Sequence, residues 1–191
     1  MAIENAGEPG DSRDDIPGHV RVRARGIRLA AFDVDGTLTD GRLWFDGQGN
    51  ETKAYHVHDG LGLRLLVDGG IAVALITARD SASARARGKD LRLDHVFTGV
   101  GDKLDCLRKL CSQLDISLAQ VAYMGDDLAD ACLFPEVGLA VSPANGHEWI
   151  RGQVHWITRT GGGEGAAREL CDLLLVEQGL LASALARFGR R

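Results

Sequence analysis

The 191-residue sequence has no long apolar stretch. A helix that crosses a bilayer needs about 20 consecutive apolar residues, and no run in this chain approaches that length. Residues 1–18 are polar and acidic and lack the apolar segment of a signal peptide. We therefore expect a cytoplasmic protein with no membrane partner, whose first residues, 1–25, form a disordered or irregular leader.

Basic residues and closely spaced cysteines are also scarce. The 22 lysines and arginines are outnumbered by 27 aspartates and glutamates, and with a net charge of −5 we expect no nucleic-acid partner. The four cysteines show no Cys-x-x-Cys spacing, and three of them fall in segments with a helical pattern. This favours cysteines that fill the core over cysteines that bind a metal or form disulfides.

What the sequence does contain is a repeated alternation of strand and helix patterns. Apolar runs that end in polar turns predict buried strands, and leucines at helical spacing between them predict helices. The predicted strands cover residues 27–32, 71–76, 95–97, 121–124, 137–141 and 154–157. Repeated strand–helix units of this kind predict an α/β fold, a Rossmann-like parallel sheet with helices on both faces.

The chain is long enough for one well-filled domain, which we place at residues 26–180, followed by a tail over 181–191. A hairpin insertion is predicted at 41–58, where the apolar pair 44–45 and residues 53–57 flank a Gly-rich turn. On such a hairpin, His56 and His58 would share one face, either in contact with a substrate or packed on the protein.

Polar side chains gather where the predicted strands end, which is the edge at which ligands bind in open α/β sheets. These segments cover residues 33–41, 77–79, 101–103 and 125–130. Taken singly, they are an Asp-x-Asp turn, a helix cap, a surface lysine and the start of a helix. Their conjunction in this order, each beside a strand end, favours a catalytic site.

The candidate site is rich in carboxylates. Asp33 and Asp35 would repel a phosphate dianion by about 4 kcal/mol per charge pair at about 4 Å, so a cation must offset them. Mg²⁺ prefers oxygen ligands, which Asp33 and Asp126 would supply, while Lys103 would add a fixed positive charge. A carboxylate can also accept a phosphoryl group while a second carboxyl exchanges protons, so the set suits phosphoryl transfer.

These residues resemble the four-motif signature of haloacid dehalogenase-type phosphatases, which is D-x-D-G-T, a Thr after an apolar strand, a Lys, and G-D-D-x-x-D. The resemblance implies that Asp33 is the nucleophile, that Asp35 is the general acid and base, and that Thr77 and Lys103 hold the phosphate. The Mg²⁺ ligands that we expect are Asp33, Asp35, Asp126 and Asp127.

The likeness extends to the family of 3-deoxy-D-manno-octulosonate 8-phosphate phosphatases. Residues 39–41, the hairpin, His58–Gly62 and the Gly-rich stretch 158–170 resemble that family, over about 27–176 in all. This implies a Mg²⁺-dependent phosphatase for a small phosphorylated sugar acid in lipopolysaccharide synthesis. The substrate contacts implied are Asp35, His56, Val57, His58, Asp59, Gly60, Arg64, Arg79, Arg87, Lys103 and Asp130. Ala78 and His58 depart from the family pattern and could alter the sugar contacts.

Three alternatives remain open from the sequence. The chain could act on another sugar acid such as a nonulosonate 9-phosphate, it could be a non-catalytic regulatory domain, or it could be a phosphorylation-receiver domain. The intact motif carboxylates and Lys103 count against the second, and Asp35 counts against the third.

Oligomerisation is expected because the chain looks capless. The intervals from Asp33 to Thr77 and from Thr77 to Lys103 are too short for a cap domain, so the site would be open to water. The hairpin carries three aromatic side chains that it cannot bury alone, which are Trp44, Phe45 and Tyr55. We expect a homo-oligomer in which a neighbouring hairpin covers each site, and the family resemblance implies that it is a tetramer.

Overall fold

The computed structural model describes residues 16–186 and 188–189. The strands are β1 Leu29–Phe32, β2 Trp44–Phe45, β3 Glu51–Thr52, β4 Ala72–Ile76, β5 His95–Phe97, β6 Val121–Met124, β7 Leu139–Ser142 and β8 Trp156–Ile157. The helices are α1 Gly18–Ala24, α2 Val57–Asp68, α3 Ala82–Asp90, α4 Lys103–Leu114, α5 Ala166–Glu177 and α6 Leu181–Ala186, with short 3-10 turns at Leu118–Gln120, Leu128–Asp130 and Glu148–Gln153. Among these, no helix has the length and apolar character to cross a membrane.

Six strands form one parallel sheet in the order β5-β4-β1-β6-β7-β8. Strand β1 lies inside the sheet because all four of its residues are apolar and buried, so it can be covered on both faces. It pairs with β4 and β6, with Phe32 level with Leu75 and Met124. The carboxyl ends of three motif-bearing strands therefore meet at one edge.

Alternate side chains along the strands of the sheet pack into two separate hydrophobic cores. Ala30 and Phe32 face a core shared with α1, α2, α3, α5 and α6, while Leu29 and Ala31 face a core closed by α4. Period-two alternation of side chains along a strand produces this division. The predicted Rossmann-like parallel sheet with helices on both faces is confirmed.

Side-chain caps start two helices near the polar loops, and one of these helices begins with the motif residue Lys103. The Asp102 side chain accepts the backbone N–H of Asp105 at 2.9 Å and starts α4, so Lys103 is the first residue of that helix. In the same way, the Ser81 hydroxyl accepts the backbone N–H of Ala84 at 3.2 Å and starts α3. Both caps stand just after the polar loops at the edge of the sheet where the carboxyl ends of the strands meet.

The irregular leader predicted over 1–25 is wrong for its last part, where residues 18–24 form α1. Val20 and Ala24 are fully buried in the core, and Arg21 and Arg25 both donate to the carboxylate of Glu177 on α5, at 2.6 and 2.9 Å. The domain therefore begins before residue 26, because α1 completes one core. The rest of that prediction, over residues 1–15, lies outside the described residues.

The tail predicted over 181–191 is partly helical. Residues 181–186 form α6, whose Ala184 is 8% exposed and packs into the core beside α5. Residue 187 and residues 190–191 lie outside the described part of the chain.

The hairpin is shorter than the predicted 41–58 insertion. Its strands pair antiparallel only through 44–45 and 51–52, and α2 already begins at Val57. The predicted placement of His56 and His58 on one strand face is therefore wrong, because His56 is the N-cap residue of α2 and His58 is in its first turn. Asp46 closes the turn by accepting backbone N–H groups of Gln48 and Asn50.

Candidate active site

The Asp33 turn grows directly out of β1. The backbone N–H of Asp33 still donates to the carbonyl of Met124 at 2.9 Å, which extends the pairing with β6 by one residue. The chain then bends at Gly36, where φ is +87° and a Cβ atom would lie 2.0 Å from a carboxylate oxygen of Asp126. Glycine is required there for both reasons, and its absence of a side chain lets the two acidic motifs approach.

Lys103 joins two buried carboxylates at the centre of the site. Its Nζ donates to Oδ1 of Asp33 and to Oδ1 of Asp130, at 2.6 Å each, and all three side chains are at most 8% exposed. Asp130 is held in turn by the hydroxyl of Tyr123 at 2.7 Å and by the backbone N–H of Asp126 at 3.1 Å. Sequence reasoning did not single out Tyr123, which lies on β6 among apolar neighbours.

Three carboxylates lie close enough to share a metal ion. Oxygens of Asp33, Asp126 and Asp130 fall within 4.8 Å of one another. Burial, followed by the charge of Asp130, raises the pKa of Asp33 to about 7 against the opposing effect of Lys103. Burial and the charges of Asp33 and Asp130 raise the pKa of Asp126 to about 7 as well. Crowded oxygen donors that resist ionisation fit a hard divalent cation such as Mg²⁺.

Two of the four expected metal ligands lie outside this group. Asp127 is exposed, and its side chain accepts the backbone N–H of Leu128 at 2.7 Å as a cap of the following 3-10 turn. The Asp35 carboxylate is held by Lys53 instead. Asp130, which was expected near the substrate, takes the third place in the carboxylate cluster.

Thr77 reaches the same edge through the neighbouring strand. Phe32 and Leu75 are level in the sheet, so Thr77 follows β4 just as Asp33 follows β1. Thr77 is 1% exposed, and its hydroxyl oxygen accepts the backbone N–H of Arg79 at 3.2 Å. Parallel pairing therefore places the hydroxyl of Thr77 and the carboxylates of Asp33 and Asp126 at the same strand ends.

A buried lysine links the hairpin to the turn that carries Asp33 and Asp35, and sequence reasoning missed it. The side chain of Lys53 has no exposed surface, and its Nζ contacts the carboxylates of Asp35 and, at 3.0 Å, Glu51. Burial would lower the pKa of Lys53, but the hydrogen bonds that Lys53 donates to both carboxylates, together with their negative charge, outweigh that effect and raise it. The available clue was a glutamate and a lysine two residues apart in an extended segment, where both side chains share one face.

The segment from His56 to Gly60 forms the start of α2 and packs against α3. The rings of His56 and His58 meet edge to face at 4.9 Å, while Val57 is 72% exposed. At Gly60, a Cβ atom would lie 2.1 Å from the guanidinium of Arg87, so the absence of a side chain at this position leaves room for that guanidinium beside α2.

Asp59 is buried beside these residues. Its Oδ1 accepts the backbone N–H of Arg168 at 2.8 Å, and burial raises the pKa of this carboxyl. Its Oδ2 has no hydrogen-bond partner among the described residues.

The three arginines expected to contact substrate occupy different surroundings. Arg79 binds the carboxylate of Glu51 at 2.8 Å, so it lies next to the Lys53 pair. Arg87 lies over the ring of Tyr55, 5.6 Å from its centroid, and donates weakly to the carbonyl of His56.

Arg64 is directed elsewhere. Its guanidinium donates to the carbonyl of Leu91 at 2.8 Å and pairs with Asp68 of its own helix at 3.2 Å. The position of Arg64 therefore gives no support to its predicted substrate contact.

The Gly-rich stretch after β8 packs directly on the turn that follows β1. A Cβ atom on Gly162 would lie 1.8 Å from the carbonyl oxygen of Gly36, and the N–H of Gly163 donates to the carbonyl of Thr37 at 3.1 Å. The Asn145 side chain accepts the N–H of Gly162 at 2.8 Å and anchors the loop from the other side. These contacts make residues 161–165 part of the support of Asp33 and Asp35.

Comparison with known proteins agrees with this fold. A family model for haloacid dehalogenase-like hydrolases matches residues 95–170. Over 162 residues the chain is 42% identical to a 3-deoxy-D-manno-octulosonate 8-phosphate phosphatase from Yersinia pestis, covering 85% of this chain and 87% of that protein. The chain belongs to the haloacid dehalogenase-like hydrolases, so the resemblance inferred from its motifs is confirmed.

Two solved structures are also similar to this chain over most of its length. A hypothetical protein from Xanthomonas campestris superposes with a TM-score of 0.92 at 53% identity, covering 96% of this chain and all of that one. The 3-deoxy-D-manno-octulosonate 8-phosphate phosphatase from Moraxella catarrhalis, solved with a magnesium ion, a phosphate ion and a KDO molecule, superposes with a TM-score of 0.85 at 43% identity. That match covers 88% of this chain and 97% of the relative.

Proposed function

We propose that this chain is a Mg²⁺-dependent phosphatase that hydrolyses 3-deoxy-D-manno-octulosonate 8-phosphate, a step of lipopolysaccharide synthesis, through a phosphorylated Asp33. The observation that supports it most is the buried Asp33 carboxylate held 2.6 Å from Lys103 within a group of three acidic side chains. A nucleophile flanked by a fixed cation and a candidate metal site suits phosphoryl transfer.

In the first step, a carboxylate oxygen of Asp33 attacks phosphorus and the bond from phosphorus to the sugar oxygen breaks. The leaving oxygen takes a proton from Asp35, which is two residues further along the same turn. Lys103 and the hydroxyl of Thr77 offer donors to the phosphoryl oxygens, since both are nearly fully buried at this edge of the sheet. The product is the free sugar acid and an aspartyl-phosphate at Asp33.

In the second step, Asp35, now ionised, takes a proton from a water molecule as that water attacks phosphorus. The bond between phosphorus and the Asp33 oxygen breaks, which releases inorganic phosphate and regenerates the carboxylate. The proton that Asp35 gained is the one it gives in the next cycle, so the two steps balance.

Asp33 and Asp126, with Asp130 beside them, would hold Mg²⁺. A bound magnesium ion supplies positive charge that offsets the repulsion between these carboxylates and the phosphate dianion. Lys103 satisfies one oxygen each of Asp33 and Asp130, which leaves Asp126 as the carboxylate of the group without that cation as a hydrogen-bond partner. Asp126 is therefore the residue whose replacement tests metal binding most cleanly.

The sugar acid is expected to contact the start of α2 and two arginines. Arg79 and Arg87 offer positive charge to a carboxylate, and residues 56–60 offer polar groups between them. A phosphatase for a nonulosonate 9-phosphate would use the same chemistry, because that substrate also carries a carboxylate. The names of the relatives favour the octulosonate.

We also propose that the chain forms a homotetramer in the cytoplasm. Leu43, Trp44 and Phe45 are 43%, 61% and 58% exposed on the hairpin, which makes an apolar patch suited to an interface. Tyr55 differs, since it packs partly buried against the core of its own chain. Hairpins that assemble through this patch would cover the open catalytic edge.

The test is Mg²⁺-dependent phosphate release by the wild-type chain and by Asp33→Asn. We expect chelation with EDTA to abolish release, Mg²⁺ to restore it, and Asp33→Asn to lower kcat by at least about 10⁴-fold with the fold intact. Asp105→Asn, an exposed acidic residue paired with Lys109, is the matched control and should keep full activity. Substantial turnover by Asp33→Asn would remove the nucleophile assignment.

A further inference from the structure

Lys53 is a buried cation that the proposed reaction leaves without a role. Its side chain has no exposed surface, although lysine is among the residues least often buried without a partner. Both of its partners are carboxylates, Asp35 of the catalytic turn and Glu51 of β3. The protein therefore places an ammonium group against the residue assigned to proton transfer.

Glu51, the second carboxylate partner of Lys53, is itself held in place by other side chains. One of its oxygens accepts from Lys53 and from the hydroxyl of Ser81, at 3.0 Å each. The other oxygen accepts two N–H groups of Arg79, at 2.8 and 3.1 Å. Ser81 also caps α3, so the lysine is anchored to the loop that follows Thr77.

The two oxygens of Asp35 are in different situations. Oδ1 is held by Lys53, whereas Oδ2 is buried and has no hydrogen-bond partner among the described residues. A buried oxygen without a partner is costly, which indicates that a ligand atom completes it. With Oδ1 fixed, rotation of the carboxyl is restricted and Oδ2 is the oxygen left for the substrate.

We propose that Lys53 is a positioning residue that holds Asp35 in the orientation needed to protonate the leaving oxygen. This inference rests on the proposed role of Asp35 as general acid. A general acid works only within hydrogen-bond reach of its acceptor, so a carboxyl that rotates freely transfers its proton less often. The hairpin would then contribute to chemistry through Lys53 as well as to assembly through its aromatic side chains.

The experiment compares two substrates with Lys53→Met, which keeps an apolar stem in the slot and removes the ammonium group. One substrate is the sugar acid phosphate, whose alkoxide needs a proton, and the other is 4-nitrophenyl phosphate, whose phenolate leaves without one. We expect kcat to fall about 10²-fold on the first and less than about threefold on the second. Lys109→Met, which breaks an exposed pair with Asp105, should leave both values unchanged.

Glu51→Gln separates positioning from fastening of the hairpin. This variant weakens the link to Arg79 and Ser81 but keeps Lys53 beside Asp35, so any loss of kcat should be similar on the two substrates. KM should rise for the sugar acid phosphate alone, because Arg79 is one of its expected contacts. If Lys53→Met also lowers both substrates in parallel, Lys53 only fastens the hairpin and the inference is overturned. If Lys53→Met does not yield folded protein, kcat on the same two substrates is compared for Lys53→Gln, which has a neutral hydrogen-bond donor.

A double-mutant cycle tests whether Lys53 acts through Asp35. In the Asp35→Asn background, Lys53→Met should cost less than about threefold more, because the group it positions is already lost. Fully additive losses would contradict the inference. If Asp35→Asn itself lowers both substrates equally, the acid role in the proposed function fails and the inference with it. If only Asp35→Asn discriminates between the substrates, the inference alone fails.

Discussion

Asp33 and Asp126 belong to a cluster of carboxyls in which ionisation is costly until a metal cation binds in addition to Lys103. Both are raised to a pKa of about 7, chiefly by burial and then by neighbouring carboxylates. A carboxyl with a raised pKa keeps its proton to higher pH, and that proton must leave before the oxygen can bind a cation. Acid should therefore compete with metal in this site.

We predict that Mg²⁺ affinity falls by at least about tenfold from about pH 8 to about pH 6, because a carboxyl with a pKa near 7 is mostly protonated at the lower pH. Calorimetric titration of the chain with Mg²⁺ at the two pH values measures this. Asp126→Asn should bind Mg²⁺ weakly at both, and Asp105→Asn should behave as wild type. Equal dissociation constants at the two pH values would show that protonation of these carboxyls does not control Mg²⁺ binding.

At the scale of single residues, the predictable part of the site was the part anchored at strand ends. Four of the predicted site residues follow or precede strands whose apolar runs are clear in the sequence, and parallel pairing brings them together. They are Asp33, Thr77, Lys103 and Asp126. Lys53 was not predictable in this way, because its partner Asp35 lies 18 residues earlier and the contact exists only once the hairpin folds over the turn.

At the scale of elements, the loop over 161–165 supports the turn that carries Asp33 and Asp35. Gly162 comes so close to Gly36 that no side chain fits between them, and the N–H of Gly163 bonds to Thr37. Sequence reasoning assigned this stretch by resemblance and could not derive its packing, since a Gly-rich run is equally typical of a solvated loop.

Gly162→Ala should therefore disturb both stability and catalysis. Its Cβ atom would overlap the Gly36 carbonyl, so we expect a loss of about 1–3 kcal/mol in the free energy of unfolding and a fall in kcat. Chemical denaturation and steady-state kinetics measure the two effects. Gly152→Ala is the matched control because its Cβ atom meets nothing within 4 Å. Wild-type stability and kcat in Gly162→Ala would contradict this role of the loop.

The missed helix α1 shows why the leader was misassigned. Its seven residues are Gly-His-Val-Arg-Val-Arg-Ala, and a segment this short has little helical stability by itself. Burial of Val20 and Ala24 and the pairing of two arginines with Glu177 form the helix in the folded chain. These are tertiary contacts, which local patterns do not reveal.

At the scale of the whole molecule, the exposed hairpin is the feature that a single chain leaves unexplained. Trp44 and Phe45 are exposed in a two-stranded ribbon that is marginally stable alone. In the proposed assembly, other copies would bury these side chains and exclude water from the substrate.

We predict that Trp44→Glu dissociates the homo-oligomer and raises KM for the sugar acid phosphate, because a buried charge at the interface is unfavourable and the site loses its cover. Sedimentation velocity and steady-state kinetics on the same sample measure this. Val22→Glu, a change at an exposed apolar residue on α1, should alter neither. A wild-type chain that is monomeric and fully active at nanomolar concentration would exclude the assembly.

The most direct test of the proposed function is kcat/KM for phosphate release across a panel of substrates with Mg²⁺ present. The panel contains 3-deoxy-D-manno-octulosonate 8-phosphate, a nonulosonate 9-phosphate and simple hexose phosphates. We predict the highest value for the octulosonate, by at least about tenfold over each of the others. A higher value for another substrate, or no phosphate release from any of them, would contradict the proposal.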